Sequence, residues 1–346
     1  MSLEKRNFYD LDYEELEELL QTWGEPAYRV KQIWTGFYQR MKDNPGGLSN
    51  IPKALREKLS DQFTFRNLTA ETKLNSKDKQ TTKTMFRLAD DLAIETVLMR
   101  YQKRRTLCIS TQAGCALGCV FCATGQMGFR RNLSSGEIVE QVIAFERILS
   151  DIGESLTNIV VMGMGEPFHN YGNTITAINR MNHPEGMNIG ARRFTISTVG
   201  LVPEIVRFAR ENKQVNLAVS LHAADDELRN SLLPINKKYP LDELMNACRG
   251  YVDLTHRRIT FEWALIYDVN DSLEQAMKLA GLLKGLLCHV NIIPLNPTQG
   301  YGGGATTRER AKIFQSVLEA KGIPCTIRVR RGIEIQAGCG QLVTEV

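Results

Sequence analysis

Residues 115–122 read Cys-Ala-Leu-Gly-Cys-Val-Phe-Cys and place Cys115, Cys119 and Cys122 in one short loop of a 346-residue chain. A closed zinc site or a fully protein-ligated iron–sulfur cluster takes four protein ligands, so this loop is one thiolate short. Three thiolates suit a 4Fe–4S cluster that leaves one iron open to an exogenous ligand. The alternative is a structural zinc site that takes its fourth ligand from Cys108, Cys339 or a histidine, although zinc loops favour cysteines in pairs.

The overall composition is that of an ordinary globular protein. Hydrophobic residues make up 43% and charged residues 24% of the chain, which is enough to bury a core. No run of about 18 apolar residues predicts a membrane span, and the N-terminus is acidic where a signal peptide would be apolar. Eight cysteines without such a signal indicate a reducing compartment, in which thiols serve metal binding or catalysis. We therefore expect a cytoplasmic protein.

The net charge of +4 is small, but the basic residues are clustered. Such clusters position a nucleic acid through its phosphates without reading its sequence. Scattered solvated charge is the simpler interpretation, and the pattern does not decide between the two. The clusters lie at residues 100–105, 129–131, 191–193, 256–258 and 328–331.

The residue pattern predicts three segments along the chain. Residues 1–66 read as a small helical domain, with Asp12 as a helix cap and further helices over 28–41 and 52–63. Residues 67–100 alternate as β strands and predict a β-hairpin linker. Residues 101–346 alternate strands with helices and predict the main domain.

The main domain is predicted to be a partial (β/α)6 barrel, so the fold class is α/β. Six strand–helix repeats favour a parallel sheet that rolls up and carries active residues at the C-terminal ends of its strands. The cysteine loop directly follows the first strand, and Ser134-Ser-Gly-Glu137 matches a capping box for the first helix. We expect strands over 107–110, 158–162, 193–197, 215–221, 258–266 and 289–295, with an extended piece over 325–330.

Several polar residues follow predicted strands and are candidates for ligand contacts. The run Gly163-Met-Gly-Glu-Pro167 lacks the third glycine of a dinucleotide-binding motif, because position 168 is phenylalanine. Its glycines would still let the backbone approach a ligand, and Glu166 could accept a hydrogen bond from an ammonium group. A tight strand-to-helix turn is the alternative. The same two interpretations, ligand contact or turn residue, apply at the other strand ends to Ser197, Ser220, His222 and Asn296.

Two cysteines outside the loop differ from the rest. Cys339 lies between glycines, which favours an exposed nucleophile or ligand over a core thiol. Cys108 lies on the first barrel strand and is either a functional thiol or simply a small hydrophobic residue buried in the core. Glu95 interrupts an apolar strand and is either a surface charge or a buried proton shuttle. Three cysteines in apolar segments are assigned to packing: Cys248, Cys288 and Cys325.

Together, these motifs resemble the RlmN/Cfr family of radical S-adenosylmethionine (SAM) enzymes, which methylate RNA adenine. The resemblance covers nearly the whole chain, and the proline-containing motifs look more like RlmN, which methylates carbon 2, than like Cfr, which methylates carbon 8. In such enzymes the open iron binds the amino-acid end of SAM, and an electron from the cluster cleaves its sulfonium. The motifs occur in the order Cys115–Cys122, Gly163–Pro167, Ser220–His222, Ile293–Pro297 and Ala337–Leu342.

The resemblance implies a role for each matching residue. One 4Fe–4S cluster is held by Cys115, Cys119 and Cys122. SAM, of which two molecules are used per turnover, is contacted by Gly165, Glu166, Ser197, Ser220, Leu221, His222 and Asn296. Cys339 accepts a methyl group from the first SAM, Cys108 is its partner in a transient disulfide, and Glu95 matches the family's acid–base position.

The implied reaction explains why two thiols are needed beyond the cluster. Adenine carbon 2 is too electrophilic for polar methyl donation, so a radical made from the second SAM removes hydrogen from S-methylated Cys339, and the resulting methylene radical adds to the ring. Glu95 then assists the loss of the ring proton. Thiolate attack by Cys108 on the sulfur of Cys339 frees the methylated base.

The implied substrates are an adenine of 23S rRNA near the peptidyl-transferase centre and a tRNA adenine near the anticodon. Each base would have to be splayed out of its RNA to reach the barrel mouth. An electron donor such as flavodoxin or ferredoxin is implied, and we expect a monomer without a membrane partner. The alternatives are carbon-8 methylation of the same base, with antibiotic resistance as its result, a zinc-stabilised RNA-binding protein, and a radical SAM enzyme that acts on a small molecule or a protein.

Overall fold

The N-terminal segment folds around an aromatic core in the computed structural model, which describes residues 5–343 of the chain. Phe8 and Phe37 are fully buried there, and their ring centroids lie 4.6 Å apart. The predicted cap of the first helix is confirmed, because Asp12 forms a capping box with Glu15. The elements of this segment are β1 (Arg6–Asn7), α1 (Tyr13–Thr22), α2 (Tyr28–Tyr38), α3 (Lys53–Gln62) and β2 (Phe63–Thr64).

Three antiparallel strands connect this segment to the barrel: β3 (Thr69–Asn75), β4 (Thr81–Arg87) and β5 (Ala93–Arg100). β5 also pairs with the strand that follows it, with Val97 opposite Cys108, so the predicted hairpin is continuous with the main sheet. Successive residues of a strand point to opposite faces, so Glu95 and Val97 lie on the same face of β5.

The predicted partial (β/α)6 barrel is confirmed. Each of the six predicted strands is present with its ends shifted by at most two residues, while the extended piece predicted over 325–330 ends as a strand at Ile327. The elements are β6 (Arg105–Ile109), β7 (Gln112–Gly114), α4 (Ala123–Gln126), β8 (Phe129–Asn132), α5 (Ser135–Ser150), β9 (Asn158–Val161), α6 (Tyr171–Asn182), β10 (Phe194–Thr198), α7 (Val202–Glu211), β11 (Asn216–Ser220), α8 (Asp226–Leu232), α9 (Leu241–Thr255), β12 (Ile259–Leu265), α10 (Leu273–Leu282), β13 (Cys288–Pro294), α11 (Arg308–Ala320) and β14 (Cys325–Ile327).

The main sheet has ten strands in the order β14-β13-β12-β11-β10-β9-β6-β5-β4-β3. Seven neighbouring strands of this sheet are parallel, namely β14, β13, β12, β11, β10, β9 and β6. Their C-terminal ends therefore all lie at one edge of the sheet. Helices cover the outer face, and apolar strand residues such as Ile159, Leu217 and Phe261 are fully buried. The capping box predicted for α5 is present between Ser134 and Glu137. Within residues 5–343, no helix is long and apolar enough to cross a membrane.

Buried polar contacts fasten the N-terminal segment to α5. The carboxylate of Glu140 accepts hydrogen bonds from the side chain of Asn7 and from the backbone N–H of Asn67, each at 2.8 Å. At the start of α5, Asp10 accepts a hydrogen bond of 2.6 Å from the N–H of Gly136, where the helix dipole favours a negative charge. Removing one partner of such a buried bond costs about 1–3 kcal/mol. The helical segment is therefore held against the barrel by specific contacts.

Candidate active site

A cavity of about 240 Å³ opens at the C-terminal ends of the barrel strands. Its wall is formed by the cysteine loop, by the ends of β5, β6 and β9–β13, and by the segment that follows β14. The three loop cysteines line it, and so do Cys108 and Cys339. Motifs that lie more than 200 residues apart in the chain therefore meet in one place.

The cysteine loop is fixed by its own backbone. Gly114 adopts a φ of +74°, and a Cβ at this position would lie 1.9 Å from the carbonyl oxygen of Gly128, so a side chain does not fit. The N–H of Cys115 donates to the same carbonyl at 2.9 Å, and the N–H of Val120 donates to the carbonyl of Leu232 at 3.1 Å. The loop is thus tied at one end to the residue before β8 and at the other to α8.

The three loop cysteines supply the three thiolates that a cubane cluster with one open iron would take. Within residues 5–343, no three histidine, cysteine, aspartate or glutamate side chains converge closely enough to hold one ion. Zinc needs its sulfur ligands at about 2.3 Å from one centre, whereas each thiolate of a cubane binds a different iron. Burial raises the pKa of Cys115 to about 12. The thiol of Cys115 is therefore protonated at neutral pH in the absence of metal, and it would lose its proton when a soft metal binds.

Polar side chains at the ends of three strands fit a polar ligand in this cavity. The side-chain N–H of Asn296 donates to the carbonyl of Cys339 at 3.1 Å, and its buried Oδ1 has no hydrogen-bond partner among the described residues. A buried acceptor without a partner costs about 1–3 kcal/mol, so a donor from a ligand would stabilise this position. The hydroxyls of Ser197 and Ser220 lie 3.5 Å apart at the ends of β10 and β11. These groups suit the polar groups of SAM.

His222 is held as a neutral imidazole. Its Nδ1 accepts a hydrogen bond of 2.8 Å from the N–H of Ala264, so the proton resides on Nε2. Burial lowers the pKa of His222 to about 3, which keeps the ring uncharged at physiological pH. Its backbone φ of +60° is rare for a residue with a side chain and turns the ring back toward the strands. His222 therefore offers the cavity a fixed hydrogen-bond donor.

Leu221 is placed differently from its neighbours. Its side chain is fully buried in the core, whereas Ser220 and His222 on either side line the cavity. Its N–H donates to the carbonyl of Glu262 at 3.0 Å, and its carbonyl accepts a hydrogen bond from Arg229 at 3.1 Å. The SAM contact predicted for Leu221 therefore has no side-chain basis in this structure, and it stays a prediction.

Glu166 both shapes a turn and faces the cavity, so the two interpretations of its motif are compatible. Its carboxylate accepts hydrogen bonds from the N–H groups of Val199, at 2.9 Å, and Phe168, at 3.0 Å. Each oxygen can accept a further bond, which leaves room for an ammonium group. Burial raises the pKa of Glu166 to about 7. Gly165 has a φ of +98°, and a Cβ there would lie 2.5 Å from Gln112, so glycine is required.

The C-terminal segment 332–343, hereafter the tail, carries Cys339 into the cavity. The carbonyl of Gly340 accepts a hydrogen bond of 2.8 Å from the N–H of Ala123, which ties the tail to the end of the cysteine loop. Cys339 is solvent-exposed, and Cys108 faces the same cavity from β6. Burial raises the pKa of Cys108 to about 12, and the charge of Cys339 raises it further. The structure thus brings together the two thiols that the sequence singled out.

Glu95 lies in a separate, adjacent cavity of about 270 Å³, which also contains Val343 of the tail. Its carboxylate forms a buried ion pair of 2.7 Å with Lys83 and accepts a hydrogen bond of 2.9 Å from the N–H of Val343. Burial raises the pKa of Glu95, and Lys83 opposes that effect. Lys83 was missed by the sequence analysis, although a lysine in a strand that alternates with Thr and Met was an available signal. Glu95 therefore contacts the tail through the backbone of Val343.

Glu262 was also missed by the sequence analysis. It lies on β12, lines the same cavity as Cys339, and accepts a hydrogen bond of 2.9 Å from Asn291. Burial raises its pKa, and its charge in turn raises the pKa of Cys339. An acid within the apolar strand Ile259–Leu265 was the available signal, the same one that identified Glu95.

Of the five basic clusters, the one at 328–331 lies at the cavity mouth. Arg328, Arg330 and Arg331 line the cavity, and Arg331 stacks on Tyr101, with its guanidinium carbon 4.6 Å from the ring centroid. By contrast, Arg131 of the 129–131 cluster is paired with Asp90 and Glu137. The cavity rim is therefore basic on the side where the tail begins.

Known proteins are similar to this chain over nearly its whole length. Residues 109–280 match the radical SAM superfamily, and residues 6–64 match the ribosomal RNA large subunit methyltransferase N-terminal domain. The probable dual-specificity RNA methyltransferase RlmN of Chloroflexus aurantiacus is 47% identical over 99% of the chain and 93% of that protein. RlmN 1 of Myxococcus xanthus is 48% identical over 98% of the chain and 95% of that protein.

A solved structure is also similar over almost its whole length. The crystal structure of a radical SAM methyltransferase from Sphaerobacter thermophilus superposes with a TM-score of 0.95 at 51% sequence identity, and the match covers 97% of the chain and 99% of that structure. A match of this extent includes the N-terminal segment as well as the barrel.

Proposed function

Because this chain belongs to the RlmN family of radical SAM RNA methyltransferases, we propose that it methylates carbon 2 of one adenine in 23S rRNA and of one adenine in tRNA. The observation that carries the proposal is the shared cavity of the cysteine loop, Cys108 and Cys339. A methyltransferase that used SAM only for polar transfer would need neither the loop nor a second thiol.

The enzyme uses a 4Fe–4S cluster and SAM as cofactors. We propose that the three loop cysteines bind the cluster. The proposed SAM contacts are Leu221 and six residues that line the cavity: Gly165, Glu166, Ser197, Ser220, His222 and Asn296. When bound, the cluster and SAM supply one-electron chemistry able to break an unactivated C–H bond. We propose one cluster, and two SAM molecules consumed per methyl group transferred. We also propose that flavodoxin or ferredoxin donates the electron and that the protein is a monomer.

Cys339 is the proposed carrier of the methyl carbon. Its sulfur bonds to that carbon before the RNA reaction, and the tail holds it at the cavity mouth, where Asn296 binds its carbonyl. After the methyl group has lost one hydrogen atom to the radical made from the second SAM, its carbon adds to the adenine and joins protein and RNA through the sulfur of Cys339. The adduct then loses its ring proton and one electron, which balances the electron used to make the radical. The thiolate of Cys108 then attacks that sulfur, so a disulfide forms as the carbon–sulfur bond breaks and the electron pair passes to the carbon. A proton from solvent completes the methyl group.

Glu95 is the proposed acceptor of the proton that adenine carbon 2 must lose. Its ion pair with Lys83 favours the charged carboxylate, which burial alone would disfavour. We propose that the base lies beside the tail, which contacts Glu95 through Val343 and carries Cys339 in the main cavity. The adenine has to be splayed out of its RNA to reach this position.

The test is nucleoside analysis of RNA treated with reconstituted enzyme and SAM that carries a fully deuterated methyl group. We expect 2-methyladenosine with two deuterium atoms in its methyl group, since one is removed before the carbon reaches the RNA. Retention of all three deuterium atoms would exclude the Cys339 route. The appearance of 8-methyladenosine instead would assign the carbon-8 reaction to the same cavity.

The basic rim is expected to bind the phosphates that flank the target adenine. Arg328 and Arg330 are exposed at the cavity mouth, and neither pairs with a carboxylate of residues 5–343. We expect the double variant R328A/R330A to bind substrate RNA about tenfold more weakly and to lower the slope of log affinity against log salt by roughly two, one for each lost phosphate contact. Fluorescence anisotropy with labelled RNA at several salt concentrations measures both quantities.

The matched control removes two cations from the opposite end of the barrel. Arg210 lies in the last turn of α7, Lys321 directly follows α11, and both residues are exposed. The double variant R210A/K321A has the same change in net charge and should keep the wild-type salt slope. Equal losses in the two double variants would show a general charge effect and would remove the rim from the RNA interface.

A further inference from the structure

A fully buried guanidinium lies beneath the cavity, on α8. Arg229 has no solvent-exposed surface. Its side chain donates to the carbonyls of Val199, at 2.6 Å, and Leu221, at 3.1 Å, and to the side-chain oxygen of Asn236, at 2.7 Å. Arg229 thus joins the ends of β10 and β11, which carry the proposed SAM contacts.

Arg229 forms no ion pair with a buried anion, and the exposed carboxylate of Asp226 is joined to it only through Asn236, which donates to Asp226 at 2.8 Å. All its hydrogen-bond acceptors are neutral, and no carboxylate within residues 5–343 forms an ion pair with it. Burial lowers its pKa to about 10, so it still carries a full positive charge at neutral pH. An unbalanced buried charge costs several kcal/mol. Neutral carbonyl dipoles reduce this cost, but an anion in the adjacent cavity would reduce it further.

The cysteine loop is the source of such an anion. The helix of Arg229 is joined to the loop by the hydrogen bond of 3.1 Å from the N–H of Val120 to the carbonyl of Leu232. The loop also packs on the turn that follows, since a Cβ at Gly118 would lie 3.9 Å from the side chain of Pro234. A cluster bound by three thiolates becomes more negative by one charge when it is reduced. A fixed cation nearby stabilises the reduced form more than the oxidised form.

We propose that Arg229 is a positioning residue whose buried charge sets the reduction potential of the cluster bound to the cysteine loop, and thereby makes electron transfer to it feasible. The proposal rests on the proposed function, because it assumes a 4Fe–4S cluster at Cys115, Cys119 and Cys122. Arg229 does not line the cavity and forms no hydrogen bond to the three proposed cluster ligands, so it would act on the cluster through its charge.

The test is a redox titration of the reconstituted enzyme with dithionite and mediators, in which the reduced cluster is followed by electron paramagnetic resonance. In Arg229→Met we expect the ratio of reduced to oxidised cluster at a given applied potential to fall on the order of tenfold, the effect of one charge acting in a medium of intermediate dielectric constant. Arg229→Lys keeps the charge and loses the forked contacts, so it should stay close to wild type. Iron and sulfide content are measured in every sample.

A second variant tests the charge without removing the guanidinium. Asn236→Asp places a carboxyl group where the side-chain oxygen now lies, 2.7 Å from Arg229, and should also make the cluster harder to reduce. Unchanged reduction in both Arg229→Met and Asn236→Asp at full iron content would overturn the proposal. An equal loss in Arg229→Lys and Arg229→Met would assign the effect to the carbonyl contacts instead. Absence of any iron from the wild-type protein would contradict the proposed function itself.

Discussion

Replacement of Cys108 by alanine is expected to leave the enzyme covalently joined to its RNA after one encounter. In the proposed reaction the methyl carbon bonds to adenine while it is still attached to the sulfur of Cys339. Cys108 lines the same cavity as Cys339 from β6, and the other cysteines that line it are the three proposed cluster ligands. Without its thiolate the carbon–sulfur bond has no nucleophile to break it, so release should fall by at least about 10³-fold, a size usual for loss of an essential catalytic group.

The measurement is a denaturing gel of enzyme incubated with labelled RNA, SAM and reductant. C108A should give a shifted band that contains both protein and RNA, while the wild type should give free methylated RNA. C325A is the matched control, because Cys325 is also a free, partly buried thiol but does not line the cavity. If C108A released methylated RNA at the wild-type rate, Cys108 would not be the thiol that frees the RNA from Cys339.

The pH dependence of release gives a second signature of the same step. Burial raises the pKa of Cys108 to about 12, so only a small fraction of it is thiolate at neutral pH. The thiolate fraction below that pKa grows about tenfold per pH unit. Release of the wild-type adduct, measured in single turnover, should therefore accelerate between pH 7 and 9 without reaching a plateau. A plateau near pH 7 would indicate a different nucleophile.

Replacement of Cys339 by alanine is expected to abolish methyl transfer to RNA while leaving the cluster in place. The thiol of Cys339 is the proposed attachment point of the methyl carbon, so the loss should again be at least about 10³-fold. The tail should stay in position, because its contacts are made by its backbone: Ala123 to Gly340, Asn296 to the carbonyl of Cys339 and Val343 to Glu95.

Iron content and the visible absorbance of the reconstituted protein provide the readout that separates carrier from ligand. C339A should match the wild type in both, whereas C119A should lose iron, since Cys119 is a proposed cluster ligand. Loss of iron in C339A would make Cys339 a fourth protein ligand of the cluster and not a methyl carrier. Methylation of RNA by C339A would remove it from the reaction.

The positions of the strands followed from the sequence with small errors. Alternating apolar strands and capped helices are local patterns, and Ser134 with Glu137 forms the box that its spacing predicted. Because parallel strands end at one edge, the residues after each strand could be expected to meet, and Ser197, Ser220, His222 and Asn296 all line the cavity. Leu221, between two of them, does not, since neighbouring residues of an extended chain point in opposite directions.

Contacts between distant segments could not be expected from local patterns. The placement of Glu95 beside Lys83, outside the main cavity, depends on the pairing of β4 with β5 and on the path of the tail. Glu262 and Arg229 were not singled out, because an acid in a strand and an arginine in a short helix have many structural explanations. Their burial, which gives them chemical significance, exists only once the barrel has closed around them.

The amino-acid sequence alone determined the chemistry available to this protein: three thiolates in one loop, two further cysteines, and a barrel to carry them. The spacing of ligands and the periodicity of apolar residues are properties of neighbouring positions, so they can be read without a structure. The tertiary structure decided which groups share a cavity, which carboxylate contacts the tail, and which cation is left without an anion. Those outcomes depend on desolvation and on distances between remote segments, and both arise only when the chain packs.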